Sequence, residues 1–259
     1  MSVLSLTDVC LSFPRGRRLV VPVLAGVTLE LDAGETVAVL AQRAQGKTSL
    51  LRVAAGMERP DKGRVCFEGE DIWGFSERRR SRLLGGKIGW VRPAVPDLDM
   101  PMLANVALPL FAKYGKSEAY ARATAALERV GAGECARQFW GSLADRERAL
   151  VAVAQGTARE PKLLLVDDLT LSLGLGETDD ILRLLDTLAT EQGFAVLMSV
   201  SDAGATGWSG RVATLFGGEL LETTRSPTEL GNLIDFPGAR PGNRDPDTVP
   251  DPDTTPPLR

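Results

Sequence analysis

The spacing of apolar and polar residues changes several times along the chain, and each change predicts a new element of secondary structure. Apolar and polar residues alternate in part over 3–13 and 19–32, which predicts two strands of an antiparallel sheet. Short, largely apolar runs follow at 36–41, 163–168 and 194–201. Strands that are buried on both faces have this pattern.

Helical periodicity separates these buried runs. Ile181 and the leucines at 184, 185 and 188 recur at i, i+3, i+4 and i+7, and they predict an amphipathic helix. Further helices are expected near 49–55, over 76–84 and 117–131, and from about 145 to 159, with a last strand at 211–216. Buried strands that alternate with helices predict an α/β fold in which helices cover a parallel sheet.

The end of the chain has a different composition. Residues 236–259 hold seven of the 16 prolines together with four aspartates, and they offer little apolar surface to bury. This segment is therefore expected to be a disordered Pro/Asp-rich tail. The folded domain is expected to span residues 1–235.

Composition and charge narrow the class of protein. The 259 residues are 44% hydrophobic, which is enough to form a core, and the net charge is −4. An acidic chain is not expected to bind nucleic acid in general, because such binding needs basic surface. The four arginines at 78, 79, 80 and 82 are more typical of a solvated helix face. No apolar run approaches the roughly 20 residues of a membrane span, and no signal-peptide pattern is found.

The chain has no histidine and three cysteines. The lack of histidine excludes Ser-His-Asp and Cys-His catalytic centres and any metal held by imidazole. Cys10, Cys66 and Cys135 are far apart and form no CxxC pair, which favours a reducing cytoplasm. We expect these cysteines to pack as small apolar side chains.

The strongest motif is AQRAQGKTS at 41–49, which lies between a predicted strand and a predicted helix. Gly46, Lys47 and Thr48 match the end of the phosphate-binding pattern G-x-x-x-x-G-K-[ST], whereas Ala41 replaces its first glycine. In that pattern backbone N–H groups surround the phosphates, the lysine supplies positive charge and the hydroxyl binds Mg²⁺. The motif predicts a P-loop.

A second signal is the run LLLVDD, a buried strand that ends in Asp167 and Asp168. A second Mg²⁺ ligand, which binds the ion through a water molecule, needs a carboxylate in this position. The alternative is that the two carboxylates only end the strand and cap the next turn. The P-loop about 120 residues earlier favours the functional interpretation.

Five stretches, in this order, resemble the ATP-binding subunit of an ABC transporter, in particular the branch of lipoprotein-release and macrolide-type exporters. They are TVAVLAQRAQGKTSLLRVAAGMERPDKGRV (36–65), KIGWV (87–91), ANVALPL (104–110), AREPKLLLVDDLT (158–170) and VLMSVSDAG (196–204). The resemblance covers residues 2–222. It implies a P-loop NTPase fold of the ABC type, with a parallel central sheet flanked by helices, an N-terminal antiparallel β subdomain and a helical subdomain at about 93–150.

The resemblance implies ATP and Mg²⁺ as ligands. The nucleotide-binding residues that it implies are Phe13, Ala41, Gln42, Ala44, Gln45, Gly46, Lys47, Thr48 and Ser49, and the metal ligands are Thr48 and Asp167. Phe13 stands where the family has an aromatic that stacks on adenine, and a core position at a strand end is the alternative. Ala41 and Ala44 stand where the family has glycine. Each is acceptable only where φ stays negative.

Several catalytic motifs of the family are replaced in this chain. Pro93 stands for the Q-loop glutamine, Asp168 for the Walker B glutamate, Gly174 for the D-loop aspartate and Ser201 for the switch histidine. The signature Leu-Ser-Gly-Gly-Gln becomes Leu143 followed by Ala144, Asp145, Arg146 and Glu147. Asp168 is therefore only a weak catalytic candidate. Asp145 is expected to cap its own helix and repel phosphate, and Ser142-x-x-Asp145 predicts a capping box.

The resemblance also implies partners. They are an integral-membrane permease and another ATP-binding subunit, in a homodimer or a heterodimer, at the cytoplasmic face of the membrane. Three functions stay open: a subunit of an export complex with weak or silent ATPase, coupled to its permease near 90–110; a working ATPase in which neighbours of Asp168 compensate; and a non-catalytic pseudo-ATPase that acts as scaffold or regulator.

Overall fold

Ten strands and six α-helices occur in residues 2–16, 19–92, 96, 99–201 and 211–223, the part of the chain that the computed structural model describes. The strands are β1 (Ser2–Arg15), β2 (Leu19–Asp32), β3 (Thr36–Leu40), β4 (Lys62–Phe67), β5 (Glu70–Asp71), β6 (Ile88–Val91), β7 (Leu163–Val166), β8 (Ala195–Val200), β9 (Arg211–Phe216) and β10 (Glu219–Thr223). The helices are α1 (Lys47–Ala54), α2 (Glu77–Gly86), α3 (Met102–Ala107), α4 (Lys116–Arg129), α5 (Asp145–Thr157) and α6 (Leu175–Gln192). Within this part of the chain, no helix is long and apolar enough to cross a membrane.

The central sheet has six strands in the order β10-β9-β3-β8-β7-β6. All neighbours pair in parallel except β10, which runs antiparallel to β9. The predicted α/β fold with a parallel central sheet is confirmed. Because β3, β7 and β8 run in the same direction, the residues that follow them meet at one edge of the sheet.

A second, antiparallel sheet has the order β2-β1-β4-β5. Strands β1 and β2 pair along most of their length, and Phe13 lies opposite Val21. Leu11 pairs with Leu24 and Ser12 with Pro22, so that the residue between the two partners, Val23, is the extra residue of a β-bulge. The predicted N-terminal antiparallel sheet is therefore present.

Apolar cores lie on both faces of the central sheet, and alternate residues of β3 enter each. Val37 and Val39 pack with the antiparallel sheet and α1. Ala38 and Leu40 pack with residues of α3, α4, α5 and α6 on the other face. Burial on both faces explains why β3 reads as a continuous apolar run.

Helices α3, α4 and α5 lie between β6 and β7; α3 and α4 fall within the stretch 93–150 predicted as a helical subdomain, and α5 extends beyond it to Thr157. Two glycines bring α5 close to β6: a Cβ on Gly156 would lie 2.3 Å from Val91 Cγ2, and one on Gly89 would lie 2.4 Å from Gly156 O. After α5, the guanidinium of Arg159 donates to Pro109 O at 2.9 Å, and burial lowers the pKa of this guanidinium. Pro93 and the predicted tail 236–259 lie outside the described residues.

Candidate nucleotide-binding site

Lys47, the first residue of α1, is almost fully buried, with its side chain 5% exposed. Its Nζ donates to Ala41 O at 2.9 Å and to Ser201 Oγ at 2.5 Å. The same atom lies 3.3 Å from Asp168 Oδ1. The ammonium group therefore joins the segments that follow β3, β7 and β8.

The loop before Lys47 contains two residues with positive φ. Gly46 has φ 97°, and a Cβ there would lie 2.8 Å from Val23 Cγ1 and 2.9 Å from Val23 O, so that only glycine fits. Ala44 has φ 64°, in the left-handed region that costs an L-residue about 1–2 kcal/mol. Ala44 therefore does not meet the condition of negative φ under which alanine replaces glycine without this cost. Ala41, which is buried, does not have positive φ.

Thr48 and Asp167, the two implied metal ligands, are adjacent. Thr48 Oγ1 donates to Asp167 Oδ1 at 3.1 Å, which links the first turn of α1 to the end of β7. Hydroxyl and carboxylate oxygens are the ligands that Mg²⁺ prefers, and Mg²⁺ commonly keeps several waters besides one or two carboxylates. The pair fits this ion, and its role as a metal site stays a prediction.

Asp168, the weak catalytic candidate, has φ 46° and is held by three neighbours. Its Oδ1 accepts from Ser201 Oγ at 3.2 Å and pairs with Lys47. Its backbone N–H donates to Ser199 Oγ at 2.8 Å. The carboxylate thus contacts other residues of the site, and no cap on the next turn by this side chain is found in the described residues. Ser201 is the predicted switch position.

Ser199 belongs to the site although no motif indicates it. It lies within β8 and is 2% exposed. Besides accepting from Asp168 N–H, its Oγ donates to Asp167 Oδ1 at 3.1 Å and lies 3.5 Å from Asp168 Oδ1. The signal in the sequence is the hydroxyl itself, because a polar group inside a buried apolar run needs a hydrogen-bond partner.

The other predicted nucleotide-binding residues of the loop differ in exposure. Gln42 is exposed, Gln45 and Ser49 are partly buried, and Oε1 of Gln45 accepts from Gly217 N–H at 3.4 Å. Gly217 lies between β9 and β10, so Gln45 connects the loop to the far edge of the central sheet.

Phe13 is 38% exposed, which makes a core position wrong for this side chain. Its strand partner Val21 precedes the bulged residue Val23 by two positions, and Val23 contacts Gly46. The antiparallel sheet therefore brings the strand segment of Phe13 towards the loop. Contact with a nucleotide base stays a prediction.

The predicted signature residues lie at the start of α5. Asp145 is the first helical residue and Ala144 is the N-cap, whose N–H donates to Glu147 Oε2 at 2.8 Å. The predicted capping box of Ser142 with Asp145 is wrong. Ser142 ends a 3₁₀ turn at Trp140–Ser142, and its Oγ donates to Phe139 O at 2.8 Å.

The charges of this segment are paired within the chain. The carboxylate of Asp145 accepts from Arg148 Nη1 at 2.9 Å and does not cap the helix as expected. Arg146 lies 3.9 Å from a carboxylate oxygen of Asp180 in α6. Among the described residues, none of these side chains contacts Lys47 or the loop before it.

A family model described as "ABC transporter" matches residues 24–171, which is more than half of the chain and includes the loop, Lys47, Asp167 and Asp168. The chain belongs to the ABC transporter family. The expected family is therefore confirmed, and Ser199 and Ser201 are the residues of the candidate phosphate site that lie outside the matched span.

This ABC cassette is similar to named relatives over most of its length. It is 36% identical over 203 residues to lipoprotein-releasing system ATP-binding protein LolD 2 of Caulobacter vibrioides, covering 77% of this chain and 88% of the relative. It is 35% identical over 231 residues to methionine import ATP-binding protein MetN 1 of Rhodococcus jostii, covering 85% of this chain and 67% of the relative. Its fold is similar to a solved dimeric ATP-binding cassette bound to ADP and Pi, MJ0796, with TM-score 0.74 and 25% identity over 84% of this chain and 96% of that one.

The residues of this ABC cassette fit the ligands typical of the family, ATP and Mg²⁺. A buried lysine stands behind a loop whose glycine allows close backbone approach, and two oxygen donors lie beside it. Lys47 would meet the terminal phosphates, and Thr48 with Asp167 would hold the metal ion.

Proposed function

We propose that this chain is the ATP-binding subunit of a membrane transport complex, and that it binds Mg·ATP through the loop at 41–48. The observation that carries the proposal is the burial of Lys47 between the ends of three parallel strands, beside the oxygen pair of Thr48 and Asp167. Mg²⁺ at this pair would offset the charge of the phosphates. The loop and Lys47 would orient the nucleotide.

We also propose that hydrolysis is slow or absent. A water that attacks phosphate must be held in line with it, and a displacement near 1 Å can cost about 10²-fold in rate. Asp168, the residue available for this role, directs its Oδ1 to Lys47 and Ser201 instead. At the start of α5, the carboxylate of Asp145 adds negative charge where the family presents uncharged residues to phosphate.

Coupling to a permease is the third part of the proposal. The relatives are named as ATP-binding proteins of a lipoprotein-releasing system and of methionine import. Near the predicted coupling segment at 90–110, Leu108 and Phe111 are 47% and 41% exposed. These apolar side chains suit a protein partner at the membrane surface. Dimerisation with a second ATP-binding subunit, at the cytoplasmic face, is supported by the dimeric cassette of similar fold.

Equilibrium binding of Mg·ATP, with phosphate release followed in the same sample, tests the proposal. Lys47→Ala should abolish binding, whereas Lys62→Ala, which removes an exposed lysine of β4, should not change it. Wild-type turnover is expected far below the roughly 10 s⁻¹ of a typical enzyme. Turnover near that rate would overturn slow hydrolysis. A wild type that binds no millimolar ATP would favour the scaffold role instead.

A further inference from the structure

Ser199 is bonded to both acidic residues at the end of β7. Its hydroxyl accepts the N–H of Asp168 at 2.8 Å and donates its proton to Asp167 Oδ1 at 3.1 Å. The distance to Asp168 Oδ1 is longer, 3.5 Å. A hydroxyl has a single proton to donate, so the shorter contact gives that proton to Asp167 and leaves the side chain of Asp168 to other partners.

The two carboxylates need such a constraint because they are neighbours in the chain and lie close to the same cation. Either one would gain by approaching Lys47, and only one can occupy the place at 3.3 Å from its Nζ. Asp168 also has φ 46°. A residue other than glycine keeps such a backbone conformation only where its surroundings fix it. The hydrogen bond from the Asp168 N–H to Ser199 Oγ is a contact that fixes this conformation.

We propose that Ser199 is a positioning residue that assigns the two carboxylates to different tasks, Asp167 to the metal ion beside Thr48 and Asp168 to Lys47. The inference rests on the proposed binding of Mg·ATP. By holding Asp167 beside Thr48, a hydroxyl within β8 would contribute to the response of nucleotide binding to Mg²⁺.

Three variants test the role of this hydroxyl. Ser199→Ala removes it, and Ser199→Thr retains it. Thr36→Val is the matched control, because Thr36 is 2% exposed in β3 of the same sheet and its Oγ1 has no hydrogen-bond partner among the described residues. The measured quantity is the ratio of the ATP dissociation constants without and with Mg²⁺. Amide hydrogen exchange at Asp168, measured in the protein alone, reports the bond to Ser199 directly.

In Ser199→Ala the ratio is expected to fall by about tenfold, because the bond to the Asp167 carboxylate is lost, and exchange at the Asp168 amide is expected to accelerate by at least as much, because its acceptor is lost. Ser199→Thr and Thr36→Val should keep the wild-type ratio within about twofold. If the wild type shows a clear ratio of the two dissociation constants and Ser199→Ala keeps it, the inference about Ser199 is overturned while the proposed function stands. Unchanged exchange at the Asp168 amide would overturn it in the same way. A wild type that binds no ATP overturns the proposed function, which separates the two failures.

Discussion

Lys47 and Asp168 form an ion pair with a separation of 3.3 Å, in which the lysine side chain is 5% exposed and the aspartate side chain 34%. Among the described residues, the ammonium group has two other acceptors, Ala41 O and Ser201 Oγ. A phosphate that approaches Lys47 must therefore share the ammonium with protein acceptors, or displace one of them. The affinity for ATP therefore depends on how much the contacts of Lys47 with phosphate exceed in energy its contacts with these protein acceptors.

Neutralising Asp168 should tighten the binding of ATP. Asp168→Asn removes the charged competitor for Lys47 and a carboxylate that repels phosphate, so we expect the dissociation constant to fall by roughly three- to tenfold. Titration calorimetry at fixed Mg²⁺ measures the change. Asp180→Asn removes the same charge from an exposed position in α6 and should have no effect. Weaker binding by Asp168→Asn would contradict the competition.

At the two residues with positive φ in the loop, a methyl group is expected to be unfavourable, strongly at Gly46 and weakly at Ala44. Gly46→Ala places a Cβ 2.8 Å from Val23 Cγ1 and should lower the free energy of unfolding by more than about 2 kcal/mol. Ala44→Gly relieves a left-handed alanine but adds entropy to the unfolded chain, so a gain of at most about 1 kcal/mol is expected. Urea denaturation compares the pair. Equal stability of Gly46→Ala and wild type would show that the loop is not as tight as described.

The N-cap of α5 can be improved. Ala144 has no side-chain acceptor, so the cap depends on Glu147 alone. Ala144→Ser should raise the free energy of unfolding by about 1 kcal/mol, because its hydroxyl can accept a free N–H of the first turn. Ala125→Ser, the same change at an exposed position inside α4, should lower it by a few tenths of a kcal/mol. Thermal unfolding of both variants shows whether each change raises or lowers the stability. Changes in the same direction would exclude a capping effect at Ala144.

The cysteines should differ in reactivity. Cys135 is buried as predicted, whereas Cys10 and Cys66 are only partly buried. Burial, with a smaller contribution from Glu147, raises the pKa of the Cys135 thiol, and burial followed by Asp71 raises that of Cys66. Iodoacetamide at pH 7.5 should therefore modify Cys135 last, because the thiolate reacts and access is restricted. Peptide mass spectrometry follows each site, and early modification of Cys135 would contradict its burial.

The same raised pKa values predict a dependence of stability on pH. A thiol that holds its proton more tightly in the folded state makes folding less favourable at high pH, where the unfolded thiol ionises more easily than the folded one. The contribution of the protonated thiol to the free energy of unfolding is fully present below the ordinary thiol pKa of about 8.5. It is lost as the pH rises through the raised thiol pKa of the folded state. A Cys135→Ser variant should lose less stability than wild type between pH 8 and pH 10, measured by urea denaturation.

Strong local patterns made most of the fold predictable. Strands β3 and β7 are buried on both faces, and α6 has an apolar stripe, so each is evident from the sequence. Strands β5, β6 and β10 and helix α3 were not predicted. They are two to six residues long, which is too short for a periodic pattern, and none of them is an uninterrupted run of aliphatic residues like β7.

The residues of the site were predictable where a motif specifies the residue types. They were not predictable where the path of the backbone determines which residues come together. Lys47, Thr48 and Asp167 meet as the motif implies. The positive φ of Ala44 and the bonds of Ser199 depend on the paths of segments far apart in the sequence. At α5, Ser142 is drawn into the preceding 3₁₀ turn, so the local pattern for a capping box does not form.

The contact between Gly89 and Gly156 joins β6 and α5 with no side chain between their backbones. Side chains at an interface can change rotamer and absorb a small shift, but two backbones in direct contact cannot. Helix α5, which begins at Asp145, and strand β6, which ends at Val91, therefore have a fixed spacing where they cross, and a larger residue at either glycine would force them apart.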